Sequence, residues 1–203
     1  MKKLFIFCIL IELISISCQI SSKKNVNQDA KKDLIRLNDY ASELSQINYD
    51  NKDSMMKALS IINEVLKIDS TYIIAENNKL AILIKLKERN QALILIEKII
   101  SRDKYFVGNY VVKANILEKL NRKEEAQKEY LIASTLCEQQ IKENPKNINL
   151  KTTLLLIHGL TQSPESVRAE YEALKKEYPT EPKIAVMDDL FLKFDREKYL
   201  ELY

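Results

Sequence analysis

Glycine and proline are nearly missing from this chain of 203 residues, with 2 and 4 copies, and tryptophan is absent. A β-sandwich or a dinucleotide-binding α/β domain needs turn-forming glycine, so its scarcity argues against both. Gly108 and Gly159 each stand alone, which excludes the glycine-rich loops that cradle phosphates. No CxxC, HExxH or EF-hand spacing occurs, so no metal and no cofactor is expected. The single histidine, His158, lies among Leu154, Leu155, Ile157 and Leu160. With no nucleophile or carboxylate placed beside it by a motif, it reads as a packed ring rather than a general base. The net charge is only +3 and the signs are interspersed, the densest basic spots being the pairs Lys23-Lys24, Lys31-Lys32 and Lys175-Lys176. A nucleic-acid partner needs a basic stripe, and none is present. What remains is rich in Lys, Glu, Leu and Ile, a helix-former's composition.

The N-terminus carries a segment of its own. Lys2 and Lys3 precede an apolar core from Leu4 to Ile16, shorter than the ~20 residues of a spanning helix. The core ends at Ser15-Ile16-Ser17-Cys18, which resembles a bacterial lipoprotein signal. That resemblance implies cleavage before Cys18 and diacylglycerol on its thiol, with palmitate among the acyl chains of the lipidated cysteine. Glu12 inside the core and Ser15 in place of the usual leucine depart from the pattern. An ordinary signal peptide or a retained anchor are the other readings. Residues 1–17 are then the signal, and 18–30 the lipidated cysteine with a polar tether. Cys137 is left without a disulfide partner and reads as a small buried hydrophobe.

Behind the tether a helical period begins, with Leu34, Leu37, Ala41, Leu44 and Ile47 at spacings of three and four. Then a longer period appears. Ala58, Ala92 and Ala126 are 34 residues apart; Ile62, Ile96 and Tyr130 follow four later, and Val65, Ile99 and Ala133 three after those. Val167, Tyr171, Leu174 and Pro179 repeat the pattern after an excess of seven residues, located at 136–142 by the equal displacement of Pro145. Seven residues are close to two helical turns, so the excess lengthens a helix without turning its face. A fixed 34-residue period is the signature of a helix–turn–helix solenoid.

These residues are similar to the tetratricopeptide repeat, whose second helix carries a small, then a bulky, then a small or apolar side chain at these spacings. The small residue lets two helices cross within about 8–10 Å. The expected fold is all-α: a right-handed stack of about four hairpins over 31–203, ending in a capping helix. First helices are expected near 31–48, 71–87, 105–120 and 147–160, second helices near 54–68, 89–102, 122–143 and 165–178. Asp53-Ser54, Asn90 and Ser163-Pro164-Glu165 offer capping residues. Ile184, Met187, Leu190, Phe191 and Phe194 predict one further amphipathic helix. The aromatic and glycine of the family's first helix are mostly missing, Tyr110 with Ala114 coming nearest.

The resemblance implies a concave groove lined by first helices, and a protein or peptide partner rather than a substrate. Groove positions fall on Asn77, Ala81, Ile84 and Lys85, and on Val111, Asn115, Glu118 and Lys119. Ala81 and Val111 replace the polar groups of the carboxylate clamp found in chaperone cofactors, so that clamp is not expected. The lengthened helix at 136–142 is the alternative contact surface. Together with Cys18, these features predict a scaffold lipid-anchored in the bacterial envelope, at the outer membrane by preference. The alternatives are a subunit of an outer-membrane assembly or pilus and secretion complex, and then a small-ligand receptor or enzyme, which a deep polar pocket would reveal.

Overall fold

The computed structural model describes residues 28–47 and 51–203. The expected signal, Cys18 and most of the tether lie outside the described residues. The described residues are helical, with no strand among them. None of these helices is long and apolar enough to cross a membrane. The chain divides into two compact units, the first running through Ile96 and the second from Glu97.

The first unit contains α1 (Gln28–Ile47), α2 (Lys52–Ile68) and α3 (Ile73–Lys85). Helix α4 (Arg89–Arg102) begins in this unit and ends in the second. Helix α1 starts inside the segment read as tether. Its buried face is Leu34, Asn38, Ala41 and Ser45, whereas Leu37 and Ile47 are exposed. Leu34 and Ala41 lie on the buried stripe as expected, but Leu37 and Leu44 fall one position short of its other members, Asn38 and Ser45. The polar members of that stripe explain the difference: Asn78 Nδ2 donates to Asn38 Oδ1 at 2.9 Å, and the Ser45 hydroxyl to the Ser42 carbonyl at 2.8 Å. Once its hydrogen bonds are made, a polar side chain can hold a core position. Asn51 caps α2 by accepting from the Ser54 amide, so Asp53 and Ser54 sit in the first turn rather than at the cap. Asn90 lies inside α4 and does not cap it.

The second unit holds the rest of α4, then α5 (Val107–Lys119), α6 (Lys123–Glu143), α7 (Ile148–Thr161) and α8 (Pro164–Glu177). Asn147 and Ser163 cap α7 and α8. Helices α6 and α8 stop two residues before Pro145 and Pro179, as the steric demand of proline on its predecessor requires. Helix α6 has 21 residues against 14 in α4, and Cys137 continues its buried stripe of Ala126, Tyr130 and Ala133. The seven added residues therefore keep the face in register. Lys113 on α5 ties the flanking second helices together, reaching Glu129 at 2.8 Å and Glu97 at 3.4 Å.

Every small residue of the 34-residue pattern is fully buried: Ala58, Ala92, Ala126 and Val167. The bulky positions Ile62, Ile96, Tyr130 and Tyr171 are buried with them. Where each first helix ends in repeats two and three, Lys87 and Asn121 take positive φ, at 62° and 59°. The amide after each returns five residues, Glu88 to the Leu83 carbonyl and Arg122 to that of Leu117, both at 2.9 Å. These are Schellman closures, repeated at the period of the sequence.

The single terminal helix expected beyond Pro182 is instead three short ones, α9 (Pro182–Ala185), α10 (Asp188–Phe191) and α11 (Arg196–Leu200). Tertiary contacts break it. The Tyr171 hydroxyl lies 2.6 Å from the Ile184 carbonyl and 2.7 Å from Asp188 Oδ1, its one proton shared between two acceptors. Asp195 then caps α11 through the Lys198 amide. The apolar residues that suggested the helix are nevertheless mostly buried, Ile184, Met187, Phe191 and Phe194 among them.

Candidate protein-binding surfaces

In the first unit the expected groove positions lie on α3. Asn77 is half-buried and Ile84 is buried. The repeat register predicts that Lys85 stands clear of the packing, and it does not. Its Nζ donates to the Ser45 carbonyl at 2.8 Å, near the end of α1. A cation at a helix C-terminus is favourable, because unpaired carbonyls gather there. Burial nevertheless lowers the Lys85 pKa to about 8.

In the second unit Glu118 and Lys119 are half-buried and Asn115 is fully buried. Asn115 Oδ1 accepts from the Tyr130 hydroxyl at 2.6 Å, a bond from α6 to α5. It also lies beside the phenols of Tyr199 and Tyr203, near the chain's C-terminal end. Glu118 pairs with Arg196, whose Nε donates to the Leu160 carbonyl at 2.8 Å. Phe194 packs on α7 at Gly159, where a Cβ would stand 2.9 Å from the ring. Two of the α5 positions marked by sequence as partner contacts, Asn115 and Glu118, are thus met by the chain's own residues 194–203. Sequence reasoning missed this segment, although its aromatic run and the isolated glycine opposite are both visible in the sequence.

The lengthened helix presents a different surface. The inner side of α6 beyond Leu136 is packed: the Cys137 thiol donates to the Leu150 carbonyl at 3.2 Å, and Gln140 Nε2 to the Tyr105 carbonyl at 2.7 Å. Its outer side is open. Lys104, Tyr105, Leu131, Ile132, Thr135, Leu136 and Gln139 line an open groove of about 340 Å³. Tyr105 is 77% exposed and Leu131 66%. Leu131 and Ile132 fall between the buried Tyr130 and Ala133, so the apolar run 130–133 is wider than the core stripe needs. That width is the sequence signal for this surface, and the repeat register alone passes over it.

The reactive side chains are occupied. Cys137 is buried, and desolvation pushes its thiol up to about 12, far from a reactive thiolate. His158 Nδ1 lies 2.6 Å from Glu170 Oε2, linking α7 to α8. Thr161, one turn on, donates its hydroxyl to the Ile157 carbonyl. No group of acidic, histidine or cysteine side chains suited to a metal ion occurs among the described residues.

Comparison with solved structures shows a likeness of fold. A thermophilic tetratricopeptide-repeat protein of Thermus thermophilus superposes with a TM-score of 0.53, at 19% identity, over 84% of this chain and 86% of that one. The chain has the fold of a tetratricopeptide-repeat protein. No protein-family profile matches the sequence, and no curated protein matches it either. The tetratricopeptide fold accounts for the small buried residue at each hairpin crossing, and for first and second helices that alternate along the chain.

Proposed function

We propose that this chain is a non-catalytic protein-binding scaffold, held at a bacterial envelope membrane by a lipid on Cys18, that engages its partner through the outer face of α6. The observation that supports the contact surface is the open apolar groove between Tyr105 and the Leu131-Ile132 pair. Apolar side chains clustered in solvent beside polar ones are a common mark of an interaction site. A partner segment with apolar side chains and an acidic residue to meet Lys104 suits this lining. The lipid proposal rests on the sequence Ser15-Ile16-Ser17-Cys18.

Crosslinking in native envelopes, with Leu131→Glu and Ile132→Lys introduced together, tests the contact. Both residues are exposed, so circular dichroism and thermal midpoint should stay unchanged while partner capture falls at least tenfold. Unchanged capture would remove α6 as the contact. Co-purification at fixed stoichiometry with membrane proteins would identify a subunit of a larger assembly. Cys18→Ala should release the protein from membranes and abolish incorporation of labelled palmitate. Retention with label elsewhere would refute the anchor.

A further inference from the structure

We infer that the faces of α5 and α7 form a binding site for an arginine–aromatic peptide, and that the chain's own residues 194–203 fill it as an intramolecular ligand. The inference rests on the protein-binding reading above, but it concerns a different surface with its own chemistry.

The site can be read from what it offers. The Glu118 carboxylate, with a side chain only 9% exposed, and the Leu160 carbonyl are two acceptors facing one guanidinium. Arg196 satisfies both, with Nη2 on Glu118 and Nε on Leu160. A lysine offers its donors from a single atom and cannot reproduce that fork. The Phe194 ring, two residues before the arginine, lies on a bare strip of α7 left by Gly159. Three and seven residues after the arginine, Tyr199 and Tyr203 are buried beside Asn115 and Tyr130. An aromatic, an arginine and two further phenols at these spacings are thus each matched by a separate feature of α5–α7. The pattern is a recognition sequence rather than a generic apolar cover.

The Tyr199 and Tyr203 phenols and the Asn115 side chain form one buried polar group shared between the segment and α5. Within 194–203 the helix is α11, of 5 residues. Short helices gain little from their own hydrogen bonds, so contact with the groove is what orders this segment. Tethering still places it ahead of any free peptide, at an effective concentration on the order of millimolar.

The test uses a fluorescent synthetic peptide of residues 191–203, followed by anisotropy against the full chain. Wild-type protein should bind it at least tenfold more weakly than Arg196→Glu, whose own segment is repelled by Glu118. The same peptide carrying alanine for its arginine should lose at least tenfold in affinity for Arg196→Glu. Equal binding by the two proteins, or binding indifferent to the peptide's arginine, would overturn the inference. Should Arg196→Glu fail to fold, hydrogen exchange on the wild type decides. Amides of 196–203 should exchange faster than those of α5 and α7, by an opening of their own. Exchange in one cooperative step with α5 and α7 would make the segment part of the core and end the proposal. Because the probe is synthetic, loss of the natural partner through α6 would leave this outcome unaffected.

Discussion

The first helices of the two units are both covered on their polar side, but by different means. Helix α3 meets the helix that precedes it by one repeat: Asn78 reaches Asn38, and Lys85 reaches Ser45, each across 40 residues. Helix α5 meets a segment outside the repeat, with Arg196 reaching Glu118 across 78 residues. A contact at about one repeat length follows from the hairpin register, because every repeat stacks on its neighbour. A contact with a segment that departs from the repeat follows from shape and charge at the particular site. The first kind is inherited from the architecture. The second is specific to this chain.

The two kinds of covering separate most visibly at Phe191. Its ring is buried against Tyr171 at 5.3 Å between centroids and Phe194 at 6.4 Å. Phe191→Ala should cost about 3–5 kcal/mol, as removal of a buried aromatic does. The loss should fall on 182–203, read as faster hydrogen exchange there with α1–α3 unchanged. A uniform rise across both units would show that the covering segment is not a local structure.

In the first unit, the Lys85 contact should show itself through pH. Burial holds its ammonium at about 8, below the 10.5 of an exposed lysine. The unfolded chain therefore keeps a proton that the folded chain has released between those values. Stability must rise with pH across that window, because there the unfolded state binds more protons. The gain is at most about 3.4 kcal/mol, from about 1.36 kcal/mol for each of the roughly 2.5 pH units between the two values. Solvent screening of a part-buried ammonium reduces it below that ceiling. Urea unfolding at pH 7.5 and pH 10.5 should show that slope reduced in Lys85→Met. An identical slope would mean that the Lys85 ammonium is solvated.

The hairpins themselves were legible because their determinants recur. Ala92 and Ala126 announce a close crossing, and the structure buries both completely. Cys137 falls seven residues beyond Tyr130 on the same stripe, as 3.6 residues per turn require. Two things were hidden. The inward face of α1 uses Asn38 and Ser45 beside Leu34 and Ala41, so its apolar period marked only half of that face. The covering of α5 depends on Gly159, Glu118 and Arg196 meeting in space, and no local pattern links them. Ala126→Leu probes the legible part. The added carbons of leucine, at a crossing where alanine is already fully enclosed, should cost about 1–3 kcal/mol by overpacking. An unchanged urea midpoint would show that the crossing has room.

The smallest effect lies within the repeated part. Lys87 and Asn121 occupy the same turn one repeat apart, with the same positive φ and the same five-residue return bond. Both side chains carry a Cβ that crowds the following carbonyl, but the short asparagine amide can hydrogen-bond the local backbone and offset that cost, which a lysine stem cannot. The strain at Lys87 is about 1–2 kcal/mol, and glycine relieves it. Glycine also makes the unfolded chain more flexible, which takes back about 0.4–1 kcal/mol. Lys87→Gly should therefore stabilise by roughly 0.5–1 kcal/mol, on the balance of those two effects. Asn121→Gly has less strain to relieve and should change stability by less than about 0.5 kcal/mol. Equal gains would show that the two turns carry equal strain whatever residue fills them. A fall in stability for Lys87→Gly would show that its side chain stabilises the turn by more than the left-handed backbone costs.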